Sequence, residues 1–451
     1  MKKNKRIVVI GGGISGFGSA ILAKKQGLDV FLSDMGTIAP KYKARLEEWN
    51  VSFEEGGHTE DLILNADEVV KSPGIPDKAP IVKALIEKGI PIISEIELAG
   101  RYTDARTICI TGSNGKTTTT TLAYRILKEA GLNVGLGGNI GESFAYQVAT
   151  ENFDWYVLEL SSFQLDGMKD FRADVAVLLN ITPDHLDRYN YSFDHYAASK
   201  MAIVRNQRAE DSFIYCADDP KTVEMLPHCD LPMHRLPFSV KARQKQGAWL
   251  SDGVIKAAVG TKKLEIDTAA MKIHGIHNAY NAMAAAMAAM AAGVPAESIV
   301  RTVVSFEGVE HRLQYVGEID GVEYVNDSKA TNVDSVWYAL GSMTKPVIWI
   351  AGGTDKGNNY EPLFPLAHKV KGLVCMGINN EKLVTSFRGL IHEIYKTGSL
   401  DDAMKRARKL AAPGDVVLLS PACASFDLFE NYEHRGNLFR QWVEREMKDE
   451  K

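Results

Sequence analysis

Thr111-Gly-Ser-Asn-Gly-Lys-Thr-Thr-Thr-Thr120 follows the apolar run Thr107-Ile-Cys-Ile110 and leads into a helical stretch from Leu122 to Ala130. A strand, a loop of small residues and a helix in that order point several backbone N–H groups and the positive end of the helix at one spot, which suits a phosphate. Lys116 would add a point charge, and Thr117 a hydroxyl for magnesium. The usual nucleotide loop separates its glycines by four residues, whereas Gly112 and Gly115 enclose only Ser113 and Asn114. The spacing therefore points away from the common kinases and GTPases.

Around this loop the chain is 451 residues long, more than one core usually supports, so three domains are expected. Its 45% apolar and 24% charged residues are those of a soluble globular protein. A net charge of −5 supplies no basic field for nucleic acid. The five cysteines lack Cys-x-x-Cys spacing and sit in apolar runs, as in a reducing cytoplasm. The N-terminal apolar stretch runs into glycines too soon for a signal peptide, and no window approaches the roughly twenty apolar residues of a membrane span.

Before the loop, the runs Arg6-Ile-Val-Val-Ile10, Val30-Phe-Leu-Ser-Asp34, Glu68-Val-Val70 and Ile90-Pro-Ile-Ile93 alternate with helical stretches. This rhythm predicts a mostly parallel sheet with ligands at the carboxyl ends of its strands. Gly11-Gly-Gly-Ile-Ser-Gly16 holds the spacing G-x-G-x-x-G between a strand and a helix, and Asp34 ends the next strand. That context is a dinucleotide-type fingerprint. Ser72-Pro-Gly-Ile75 reads as a tight turn at another strand end.

After the loop, Asp154-Trp-Tyr-Val-Leu-Glu-Leu160 places Glu159 in a buried strand, where a carboxylate needs a partner. An acid on the strand beside a phosphate loop is a usual magnesium holder, though a strand-end Glu facing solvent is the plainer reading. His185, between Asp184 and Asp187, follows the strand Val175–Thr182 and suits a metal or a phosphate. Lys200 carries no motif, and composition alone makes it a solvated lysine. Residues 211–272 read as short segments, with a hairpin turning at Ser251-Asp-Gly253. His277-Asn-Ala-Tyr-Asn281 opens a helix to Ala292. There Asn278 and Asn281 share a face that could read a nucleobase, or Asn278 could cap the helix.

From Val309 a third series of strands, at 323–325, 347–351, 372–375 and 416–420, ends in the loops Asn326-Asp-Ser-Lys-Ala-Thr-Asn332, Gly352-Gly-Thr-Asp-Lys-Gly357 and Pro421-Ala-Cys-Ala-Ser-Phe-Asp427. Together they make a polar crevice for a small anion.

TGSNGKTT, LELSSFQL (158–165), NITPDHLDRY (180–189), HNAYNA (277–282), EHRL (310–313), NDSKATN (326–332) and SPACASFDLFENYEHRG (420–436) together resemble the ATP-dependent Mur ligases of peptidoglycan precursor synthesis, in order and across the whole chain. The last motif and the N-terminal loop favour the D-glutamate-adding branch. Alanine-adding relatives typically carry His in the phosphate loop, and diamino-acid-adding relatives a DNPR-type motif absent here.

The resemblance implies an α/β protein of three domains: a Rossmann-like UDP-sugar domain (1–97), a P-loop ATPase-type domain (98–308) and a Rossmann-like amino-acid domain (309–451). It implies an ATP- and magnesium-dependent ligase, a cytoplasmic monomer, that joins D-glutamate to UDP-N-acetylmuramoyl-L-alanine through an acyl phosphate. By the family pattern ATP meets Gly112, Ser113, Asn114, Gly115, Lys116, Thr117, Thr118, Asn278, Asn281, His311, Arg312, Asp327 and Lys329. Thr117 with Glu159 holds one magnesium, and Glu159, His185 and a carbamylated Lys200 hold a second. The UDP-sugar falls to Ile14, Ser15, Asp34, Ser72, Gly74, Ile75 and Asn139, and D-glutamate to Thr331, Lys356, Ser425, Phe426 and Tyr432. The chain departs from the pattern in having Met35-Gly36 where some relatives have an arginine, and Tyr432 where many have Phe. Three rivals share parts of this reading: a nicotinamide-dependent dehydrogenase, which leaves the second loop unexplained, a folylpolyglutamate synthase-like ligase, which does not usually begin with this domain, and a non-catalytic nucleotide-binding module, which would need no constellation on three domains.

Overall fold

In the computed structural model, which describes residues 5–449, three sheets follow one another along the chain. Runs such as RIVVI, VAVL and VVLL are apolar on both sides and rich in β-branched residues, as strands of helix-covered parallel sheets must be. The first sheet comprises β1 (Arg6–Ile10), β2 (Asp29–Asp34), β3 (Ser52–Glu55), β4 (Glu68–Lys71) and β5 (Ile92–Ile93). All pairings are parallel, in the order β3-β2-β1-β4-β5. The strand order reverses between β1 and β4, so the Gly11 and Ser72 loops flank one crevice.

The central sheet has nine strands: β6 (Arg106–Thr111), β7 (Val134–Gly138), β8 (Trp155–Glu159), β9 (Val175–Leu178), β10 (Ser212–Cys216), β11 (His234–Ser239), β12 (Gly247–Ser251), β13 (Val254–Val259) and β14 (Lys262–Asp267). Their order is β14-β13-β12-β11-β10-β9-β6-β8-β7. β6 lies between β8 and β9, parallel to both, so the Thr111–Thr120 loop leaves the sheet where the winding changes direction. The expected hairpin is β12 and β13, antiparallel and turned at Asp252-Gly253, both with positive φ.

The last sheet comprises β15 (Gln314–Ile319), β16 (Val322–Asn326), β17 (Val347–Ala351), β18 (Val370–Met376), β19 (Glu393–Thr397) and β20 (Val416–Leu419), in the order β15-β16-β20-β17-β18-β19. The three expected loops all lie at carboxyl ends of its parallel strands. By packing, the first two sheets form one compact unit, the residues up to Met271 with Asn278–Phe306. Lys272–His277 and the residues from Glu307 form the other.

Three local expectations shift. The helix after the phosphate loop begins at Lys116, not Leu122, because Thr117, Thr118, Thr119 and Thr120 are buried in its first turns. Their low intrinsic helix propensity is overridden by packing. β5 shrinks to two residues, since Pro91 brings no N–H to the ladder. β3, β15 and β19, strands at sheet edges, were not anticipated, and β3 reads Ser-Phe-Glu-Glu with no fully buried residue.

Candidate active site

The loop after β6 depends on its two glycines. Gly112 (φ 155°) and Gly115 (φ 83°) occupy backbone that favours glycine, and a Cβ on Gly115 would lie 2.5 Å from Asn281 Oδ1. Ser113 N donates to Asn180 O (3.0 Å) and Asn114 N to Asn180 Oδ1 (2.8 Å), while Ser113 Oγ donates to Thr182 O (2.8 Å). The strand end at Asn180–Thr182 therefore templates the loop. The helix Lys116–Glu129 begins at Gly115 with no side-chain cap, which leaves its amino end open to an anion.

Two lysines converge on one carbonyl here. Lys116 Nζ donates to Gly112 O (2.7 Å) and Ser113 O (2.8 Å), and Lys200 Nζ donates to the same Gly112 O (2.9 Å). Lys200 is only 1% exposed, so the solvated position read from composition is wrong: helix Phe193–Met201 delivers it into the core of the site. Burial, reinforced by the Lys116 ammonium and opposed by Asp184, Asp166 and Glu159, pushes Lys200 well below the ordinary lysine range. A lysine so placed gives up its proton more readily than an exposed one.

Glu159 ends β8 fully buried, not facing solvent. Oε1 accepts from Asn139 Nδ2 (2.8 Å), and Oε2 has no hydrogen-bond partner. An orphaned carboxylate oxygen beside a phosphate loop and a buried threonine, Thr117, is a donor set suited to magnesium, a hard cation that takes oxygen ligands. The residues fit that ion. Thr118 is buried in the same helical turn. His185 sits at a positive φ of 51° on the turn after Thr182, its ring packed edge-on against Phe163 at 5.3 Å and half exposed. Among the described residues no three His, Cys, Asp or Glu side chains gather as a metal cluster.

Asn278 lies inside the helix Ile276–Ala291 and does not cap it. Its Oδ1 accepts from Asn281 Nδ2 (3.2 Å), and Asn281 Oδ1 accepts from Thr119 Oγ1 (3.1 Å). The pair is thereby fastened to the phosphate-loop helix.

In the first sheet, Asp34 accepts from Gly12 N (2.5 Å) and Gly36 N (2.7 Å), so its carboxylate ties the glycine loop after β1 to the turn after β2. Ser72 Oγ donates to Gly11 O (3.3 Å), and Ile75 N closes the turn onto Ser72 O (3.1 Å). Ile14, Met35 and Gly74 are exposed, while Ser15 is buried. Arg188, which the sequence reading passed over, reaches from the central sheet's turn to Ile75 O (3.2 Å) and covers Phe163 at 4.3 Å. The only hint was its place in the NITPDHLDRY segment.

The second unit gathers the remaining candidates. Asp327 is buried and accepts from Ser420 Oγ (2.8 Å) and Leu313 N (3.2 Å). Burial pushes it up to about 7 against the pull of Ser420 and Arg312. His311 (φ 63°) is buried against Asn326 Nδ2 (3.0 Å), and burial lowers its basicity. The Lys329 ammonium lies 5.1 Å from the centre of the Tyr432 ring, whose hydroxyl donates to Glu433 (2.8 Å). Ser425 is buried, Thr331 half-buried, and Lys356 and Phe426 exposed. The missed residue here is Arg435, a fully buried cation that donates to Ser328 O (2.8 Å), Ser328 Oγ (3.0 Å) and Cys423 O (3.4 Å). It ties the 326–332 and 420–427 loops together, and nothing in its local sequence announces burial.

Known proteins match in the same pattern. Residues 5–94 match the Mur ligase MurD-like N-terminal domain, 110–289 the Mur ligase middle domain, and 311–423 the Mur ligase glutamate ligase domain. The UDP-N-acetylmuramoylalanine–D-glutamate ligase of Christiangramia forsetii is 50% identical over 97% of this chain and 99% of its own. Its counterparts in Bacteroides fragilis and Porphyromonas gingivalis are each 52% identical over 97% of this chain and over 99% and 98% of their own. The solved UDP-N-acetylmuramate-alanine ligase MurC of Thermotoga maritima shares the fold at TM-score 0.61 and 19% identity, covering 99% of this chain and 100% of that one. So does E. coli FolC, at TM-score 0.59 and 17% identity over 78% and 92%. At half its residues over nearly its full length, with three domain matches in order, the chain belongs to the Mur ligase family.

Proposed function

We propose that the chain is an ATP-dependent amide ligase that adds D-glutamate to UDP-N-acetylmuramoyl-L-alanine, releasing ADP and phosphate, as a monomer in cytoplasmic peptidoglycan precursor synthesis. The observation that carries this reading is half identity, across essentially the whole length, to ligases named for that reaction. The half-buried Lys116 and buried Lys200, both on Gly112 O, and the buried Glu159 at the end of the neighbouring strand supply the chemistry it needs.

A carboxylate is a poor acceptor for an amine, so it must first gain a leaving group. The L-alanyl carboxylate attacks the γ-phosphorus of ATP and ADP departs, which leaves an acyl phosphate. The amine of D-glutamate then attacks that carbonyl carbon, loses a proton, and expels inorganic phosphate as the amide forms. Charge on the transferring group is greatest in the first step, and the backbone N–H groups of Gly115 to Thr118 with the Lys116 ammonium oppose it. For this Lys116 must leave the Gly112 and Ser113 carbonyls, which the incoming phosphate replaces.

Thr117 and Glu159 would hold one magnesium, and Glu159, His185 and Lys200 a second. Magnesium bound there would neutralise phosphate charge. Carbamylation of the Lys200 amine by carbon dioxide, with loss of a proton, turns a repelling cation into an anionic oxygen ligand, and burial prepares that amine. Ile14, Ser15, Asp34, Ser72, Gly74, Ile75 and Asn139 would seat the UDP-sugar. Asn278, Asn281, His311, Arg312, Asp327 and Lys329 serve the nucleoside side of ATP, and Thr331, Lys356, Ser425, Phe426 and Tyr432 meet D-glutamate. On this reading residues 1–97, 98–308 and 309–451 are the UDP-sugar, ATP and amino-acid parts.

Phosphate release tests the proposal. It should require UDP-N-acetylmuramoyl-L-alanine, D-glutamate and magnesium together. Release with L-alanine in place of D-glutamate would overturn the substrate assignment, and no release with either would overturn the reaction class.

A further inference from the structure

Two glutamates stand two residues apart at the start of the helix Glu95–Gly100, and both are buried. Glu97 has an ordinary structural task. Its Oε2 accepts from the amides of Lys169, Asp170 and Phe171 (2.8, 3.0 and 2.9 Å), and its Oε1 from Arg101 (3.1 Å).

Glu95 is different. Its Oε1 accepts from Ser143 Oγ (2.5 Å) and Ala145 N (3.1 Å), and the Ser15 hydroxyl and Phe144 amide also donate towards the carboxyl. Its Oε2 is buried without a partner. Burial raises Glu95 above the usual carboxylate range, against the pull of the Ser143, Ala145, Ser15 and Phe144 hydrogen bonds.

The groups that meet on Glu95 lead to the candidate site by two routes. Ser15 lies in the first turn of the helix Ile14–Lys25, directly after the first glycine loop. Ser143 ends the Gly137–Glu142 loop and caps the helix Phe144–Thr150. In that same loop Asn139 donates to Glu159 (2.8 Å). The helix Ile14–Lys25 is also cut to receive Ser143: a Cβ on Gly18 would collide with Ser143 Oγ. Gly18 falls outside the G-x-G-x-x-G spacing, so dinucleotide-type binding does not account for it. Close docking of Ser143 does.

Resting on the functional reading above, we infer that Glu95 is a positioning residue for the UDP-sugar: it fixes Ser15, in the first turn of the helix Ile14–Lys25, against the central loop that carries Asn139, with Gly18 making the approach possible. A carboxyl whose only task was to fill the core would be served better by an apolar side chain, since each buried polar group costs free energy unless satisfied.

The test uses the full chain with Glu95→Ala, Glu95→Gln and Gly18→Ala, each checked for folding by circular dichroism. In Glu95→Ala and Gly18→Ala, KM for UDP-N-acetylmuramoyl-L-alanine should rise about tenfold or more while kcat stays within about threefold and KM for D-glutamate is unchanged. Glu95→Gln, neutral and able to accept the same bonds, should restore KM to within about threefold of wild type. A folded Glu95→Ala with wild-type KM overturns the inference, as does equal impairment of Ala and Gln. If Glu95→Ala does not fold, Gly18→Ala decides by the same criterion. Titration with UDP alone separates the two claims. Wild type that binds UDP but makes no product overturns the functional reading, and weaker UDP binding in the variants then still supports the positioning role, whereas equal binding overturns it.

Discussion

The molecule holds two strand–glycine–helix loops, at Gly11–Gly16 and at Thr111–Lys116, and their backbones are built alike. Each follows the strand at which its sheet reverses direction, and each opens a helix with no side-chain cap. Their electrostatics are opposite. In the first, the loop amide of Gly12 is held by the Asp34 carboxylate. In the second, two lysines crowd one carbonyl beside a carboxylate with an unpartnered oxygen. Backbone geometry makes both loops receptive to an anion. On the proposed function, the charged side chains around them set what each does, recognition in the first and phosphoryl transfer in the second.

Lys116→Ala should break this contrast most sharply. Loss of the cation that meets the transferring phosphoryl should lower kcat by about a thousandfold or more, in steady-state phosphate release, with KM for the UDP-sugar little changed. Lys200→Ala should lose about a hundredfold or more, partly regained with added short carboxylates, and unchanged activity would remove its metal role. Asp34→Ala, which frees the first loop's amides, should raise KM for the UDP-sugar about tenfold and leave kcat within a few-fold. A large kcat effect would show that the two loops are not divided in this way.

The smallest effect concerns pH and stability in the second unit. Asp327 is raised to about 7 in the folded protein. A group whose folded value is raised contributes stability that is full below its unfolded pKa, near 3.9, and that is lost as pH rises through the folded value. Stability should therefore fall between about pH 4 and pH 7 through this group. Chemical denaturation of Asp327→Asn should show a flatter profile over that window, and a wild-type slope in the variant would contradict the assignment.

The two loops, the hairpin and most buried strands were legible in the sequence because glycine spacing and apolar runs are local signals. Three kinds of feature were not. Lys200 reads as solvated, since nothing near it reveals that the helix Phe193–Met201 turns it into the core. Arg435 and Arg188 act across long sequence separations, on loops that no periodicity connects to them. Glu95 and Gly18 make sense only as a pair of surfaces brought together by folding. What escapes a local reading is the set of polar groups whose partners are remote.

On the proposed function, ATP phosphorylates a carboxylate. The most direct measurement is a turnover with the L-alanyl carboxylate of UDP-N-acetylmuramoyl-L-alanine labelled with oxygen-18, read by mass spectrometry of the released phosphate. Passage through an acyl phosphate predicts one labelled oxygen in each phosphate and one retained in the amide product. Unlabelled phosphate alongside the amide would contradict an acyl phosphate.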